Sequence, residues 1–68
     1  MQVNMLRAQM ALKGFNQVRL AGAIGISVAA LGNKISGRSD FTRKEIGEII
    51  RVLEIKDPMA IFFADEVS

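Results

Sequence analysis

Apolar residues recur along this chain at intervals of three and four, the spacing that gathers side chains on one face of an α-helix. The first stripe is Val3, Leu6 and Met10, extended one turn by Lys13. Leu20, Ala21 and Ile24 make the second, and Leu31 and Ile35 the third. The fourth and longest is Ile46, Ile49, Ile50 and Leu53, and a short run, Ile61-Phe62-Phe63, follows it. No stretch alternates apolar and polar residues between hairpin turns. The pattern therefore predicts an all-α fold of five helices, one domain over residues 1–68.

Polar residues and glycines mark where these helices begin and end. The first spans 3–13, with Asn4 as its cap and Gly14 as a left-handed stop. Phe15 is a buried connector. Asn16 caps a second helix, 17–24, which Gly25 ends. Ser27 caps a third, 28–36, which Gly37 ends. Thr42-Arg43-Lys44-Glu45 reads as a capping box, in which threonine and glutamate satisfy each other's backbone N–H groups. Asp57-Pro58 is an N-cap followed by proline at the first helical position.

The second and third helices are joined by only Gly25, Ile26 and Ser27. Two short helices so connected must cross steeply, roughly at 90–120°, the geometry of a helix-turn-helix. Helices that cross closely need a small residue at the contact, and Ala21 is placed for it. Gly25 supplies a left-handed turn that a residue with a side chain enters at a cost of about 1 kcal/mol or more.

The same region carries a 13-residue uncharged run, Leu20–Gly32. A membrane-spanning helix needs roughly 20 apolar residues, and Gly22, Gly25 and Ser27 interrupt this one. It follows no basic leader and precedes no cleavage site of the usual kind. The expectation is a soluble, cytoplasmic protein with no membrane partner.

Composition narrows the chemistry further. The chain has no cysteine and no histidine, so thiolate metal sites, disulfides and the commonest general base are missing. No carboxylates are paired in a pocket-forming pattern, and 68 residues leave little room for a deep cleft. The reading is a non-enzyme with no cofactor, no metal and no small-molecule substrate. Charge is uneven: residues 1–44 carry seven basic side chains against Asp40 alone, and residues 45–68 carry two against six acidic ones. A basic front half suits a polyanion.

Gln17-x-x-Leu20-Ala21-x-x-Ile24-Gly25-Ile26-Ser27, followed by Leu31 and Ile35-x-Gly37, resembles the helix-turn-helix of phage Cro and lambda-type repressors. Arg7-x-x-Met10-x-x-Lys13-Gly14 is similar to the family's first helix and turn. Asn33 to Ile46, NKISGRSDFTRKEI, resembles a run in small prophage-encoded members, and Ile61-Phe62-Phe63-Ala64 is similar to their ending. The resemblance covers nearly the whole chain. It implies a lambda-repressor-like domain, a transcriptional regulator that binds double-stranded operator DNA as a homodimer.

In that frame helix 28–36 is the recognition helix. With Leu31 and Ile35 turned inward, Val28, Ala29, Gly32 and Asn33 are the candidates for base contacts, with Ser36 beside them, on a wheel of roughly 100° per residue. Family members usually place glutamine, arginine, serine or lysine at several such positions. Here only Asn33 can make a bidentate contact, to adenine, while Val28 and Ala29 suit thymine methyl groups. Base readout is therefore expected to be sparse and A/T-leaning. Gln17, Arg19, Lys34, Ser36, Arg38, Arg43 and Lys44 are the candidates for phosphate contacts. Met59, Phe62 and Phe63 are the candidate dimer interface, and Asp65 and Glu66 would repel DNA from that end. The competing reading is a protein-interaction module on the same scaffold that has lost base readout and docks another helix through Gly22, Ala23, Ala29, Ala30 and Gly32.

Overall fold

The computed structural model describes residues 1–63, and helix is the regular structure among them. The order is α1 (Val3–Leu12), α2 (Gln17–Ile24), α3 (Val28–Ile35), α4 (Arg43–Val52) and α5 (Pro58–Phe62). Ala64, Asp65 and Glu66, which belong to the expected ending, lie outside the described residues.

Four helix starts follow from local chemistry. The Asn16 side chain accepts from the Arg19 N–H at 2.8 Å, and Ser27 Oγ from the Ala30 N–H at 3.0 Å. Thr42 Oγ1 accepts from the Glu45 N–H at 3.1 Å while Glu45 Oε1 accepts from the Thr42 N–H at 2.8 Å, which completes the capping box. Asp57 Oδ1 accepts from the Ala60 N–H at 3.3 Å, with Pro58 at the first helical position. Each such cap satisfies a backbone donor that the helix itself leaves open.

The start of α1 corrects the sequence reading. Asn4 is not the cap: the helix begins at Val3, and Gln2 flanks it with no side-chain cap bond. Instead the Gln2 N–H donates to the Ile61 carbonyl at 2.7 Å, so α5 fixes this end. Gln9 Nε2 also donates to the Leu53 carbonyl at 2.7 Å, and Lys13 pairs with Glu54 at 3.2 Å. Along its length α1 is thus tied to the end of α4 and to α5.

Leu6, Leu20, Leu31, Ile49 and Leu53 have no exposed surface, and Met10, Ala21, Ile35, Ile55 and Ile61 complete the core. Burying a leucine or isoleucine contributes roughly 1.5–3 kcal/mol, so these few side chains carry most of the packing energy of a small domain. Ala21 is buried on α2, which packs against both α3 and α4. Gly25 takes φ +78°, and the chain bends by 105° between α2 and α3. The long uncharged run is therefore two short helices at a corner. Among the described residues no single helix is long and apolar enough to cross a membrane.

Candidate nucleic-acid interface

Burial of Leu31 and Ile35 turns the opposite side of α3 outward. Val28, at 41% exposure, and Ala29 and Asn33 lie on that outer arc and are exposed. None of the three is charged. Gly32 is half-buried. Gln17, the first residue of α2, brings its side-chain amide close to it: a Cβ added at Gly32 would meet Gln17 Nε2 at 2.9 Å. Ser36, just past the end of α3, is exposed, and its hydroxyl donates to the Asn33 carbonyl at 3.1 Å.

Exposed cations precede and follow α3 along the chain. Near the start of α2, Arg19 donates from Nη1 to the Gly14 carbonyl at 3.1 Å and lies 4.7 Å above the Phe15 ring. Those contacts hold an exposed guanidinium in one place. After α3, Arg38 lies in the α3–α4 connection and Arg43 and Lys44 open α4; all three are exposed. Cations in a helix's first turn oppose its dipole by a few tenths of a kcal/mol. An anion in front of them would remove that cost.

Lys34 differs from these cations in having partners within the chain. Its side chain is only 14% exposed. The ammonium donates to Glu45 Oε1 at 2.8 Å and to the Asp40 carbonyl at 3.0 Å, and it lies 5.9 Å from the Phe41 ring centroid. Lys34 and the Thr42 backbone hold the Glu45 carboxyl below the usual carboxylate range, with burial opposing them. The pair joins the last turn of α3 to the capping box of α4, so it holds the α3–α4 connection that bears Arg38.

The three candidate dimer residues separate. Met59 is 50% exposed. Phe62 is half-buried and packs edge-on against Phe41, centroids 6.2 Å apart at 82°. Phe63 is half-buried with its ring 6.5 Å from Phe62. Both phenylalanines line an open groove with Lys34, Phe41 and Ile46. Phe62 has a clear role inside one chain; Met59 is the residue most available to a second.

The small face proposed for a partner helix is discontinuous: Gly22, Ala23 and Ala29 are exposed, whereas Ala30 and Gly32 are half-buried. Sequence reasoning missed two contacts here, Lys34 on Glu45 and Gln17 over Gly32. Each joins residues from different helices, and neither spacing has a local signature.

Comparison of the chain with models of protein families, with curated proteins and with solved structures finds no match.

Proposed function

We propose that the chain is a helix-turn-helix DNA-binding domain, similar to Cro and lambda-type repressors, that acts as a transcriptional regulator on operator DNA as a homodimer. The observation that carries this reading is the outer arc of α3. Val28, Ala29 and Asn33 are exposed and uncharged, the arc stands at a 105° corner from α2, and exposed cations precede and follow it along the chain. An α-helix fits the major groove, and its N-terminal residues reach the base edges. In this pose Asn33 hydrogen-bonds adenine, Val28 and Ala29 touch thymine methyl groups, and Gln17, Arg19, Arg38, Arg43 and Lys44 hold the phosphates. Most of the affinity then comes from the backbone, and sequence preference comes from a few A·T pairs. A dimer through Met59 would set two such helices about 34 Å apart, one turn of duplex.

The test is selection of bound duplexes from a random pool, followed by titration of the winner against a scrambled competitor at several salt concentrations. The expected outcome is an A/T-rich, two-fold symmetric site. With Arg19, Arg38, Arg43 and Lys44 on phosphates in both protomers, log K falls with log salt at a slope of about −7. Equal affinity for the scrambled duplex removes specific readout. Absence of binding at low salt removes DNA as the partner and favours the protein-interaction module.

A further inference from the structure

Three glycines stand inside helices without a left-handed backbone: Gly22, Gly32 and Gly47. Such positions usually favour alanine, because glycine loses more conformational freedom on folding. At Gly22 and Gly47 an added Cβ would meet nothing within 4 Å. Gly32 differs. Its missing Cβ leaves the space that the Gln17 side-chain amide approaches, at 2.9 Å from where that carbon would be.

We propose that Gly32 is a positioning residue: its bare backbone seats the Gln17 side-chain amide against α3, and so sets a neutral hydrogen-bond donor in place for a DNA phosphate. The inference rests on the DNA-binding reading above and adds how that reading's first contact is built. Gln17 opens α2 on one side of the corner, and Gly32 lies in the middle of α3 on the other. A glutamine free to rotate loses side-chain entropy when it binds, whereas one already seated has less to lose. Alanine at 32 would not disturb the core, since the atom in its way is the far end of a flexible side chain. It would displace that end. The substitution therefore favours helix and disfavours the contact, and opposite signs on stability and binding are its signature.

The experiment is a double-mutant cycle on the full chain, Gly32→Ala, Gln17→Ala and the pair, with Gly47→Ala as the comparison for stability alone. Three readouts are taken: the thermal midpoint, the affinity for the selected duplex, and the Gln17 side-chain amide resonances of the free protein. Gly32→Ala is expected to raise the midpoint, as Gly47→Ala should, to shift the Gln17 resonances, and to weaken binding of the dimer about a hundredfold, the worth of one hydrogen bond to a charged group in each protomer. The salt slope stays unchanged because glutamine carries no charge. Gln17→Ala is expected to weaken binding by the same factor, and Gly32→Ala added to it should weaken binding no further. Unchanged affinity in Gly32→Ala, or an equal loss with and without Gln17, overturns the proposal while the DNA-binding reading stands. If the unaltered chain binds no duplex, the reading falls and this inference falls with it.

Discussion

The corner between α2 and α3 and the corner between α4 and α5 use the same backbone device with different residues. In the first, the Ile26 N–H reaches back to the Ala21 carbonyl at 3.0 Å and Gly25 takes φ +78°. In the second, the Ile55 N–H reaches back to the Ile50 carbonyl at 3.0 Å, and Glu54 takes φ +51°. Both are the left-handed stop that satisfies carbonyls at a helix end. Glycine enters that conformation freely; a residue with a Cβ does so at about 1–2 kcal/mol. Glu54 offsets part of the cost through its ion pair with Lys13 of the α1–α2 connection. Glycine makes the α2–α3 corner unstrained and leaves it without a side chain. The α4–α5 corner accepts strain and gains a tie to the rest of the fold. The first arrangement recurs at Gly14 between α1 and α2, where the Phe15 N–H reaches back to the Met10 carbonyl at 2.8 Å; the second ties a helix end to a distant segment.

The buried anchors of the two corners should show the largest effect and no asymmetry. Leu31 and Leu53 are both wholly buried, so Leu31→Ala and Leu53→Ala should each cost about 2–5 kcal/mol in chemical denaturation. A clearly smaller loss at Leu31 would mean that α3 is not held by the core. The turn residues come next, with opposite signs. Gly25→Ala should destabilise by about 1–2 kcal/mol. Glu54→Gly should stabilise by about 0.5 kcal/mol, because relief of strain exceeds an exposed ion pair worth about 0–1 kcal/mol. Matching signs at the two positions would break the comparison.

A smaller effect lies between the corners, where Lys34 and Glu45 join α3 to α4. Glu45 titrates below its ordinary value of 4.5 in the folded chain. Its contribution is therefore complete above the unfolded value and is lost as pH falls through the lowered folded one. Urea midpoints should fall on acidification below about pH 4.5, and Glu45→Gln should flatten that fall. An unchanged acid profile in the variant would show that the pair contributes nothing there.

Local signals in the sequence were enough to locate most helix ends. Asn16, Ser27, Thr42 with Glu45, and Asp57 with Pro58 act within three residues, and a one-dimensional reading sees that range. The inward faces of α3 and α4 were equally legible from spacing. Contacts between distant segments were not. The start of α1 is set by Ile61, far along the chain, so Asn4 misled. Lys34 looked like one more cation on a basic flank until Glu45, eleven residues on, claimed it. Ile55 is buried without belonging to any helical stripe, because it follows the left-handed Glu54 and turns back onto the core. The outer arc of α3 followed from the helical wheel for Val28, Ala29 and Asn33, while Gln17 over Gly32 required the 105° corner in three dimensions.

The most direct test of the central claim is a map of backbone amide shifts as a selected duplex is added to labelled protein. The account expects the changes to concentrate at Val28, Ala29 and Asn33, with a second set at Gln17, Arg19, Arg38, Arg43 and Lys44. Changes confined to α1 and α5, with α3 silent at saturation, would contradict it.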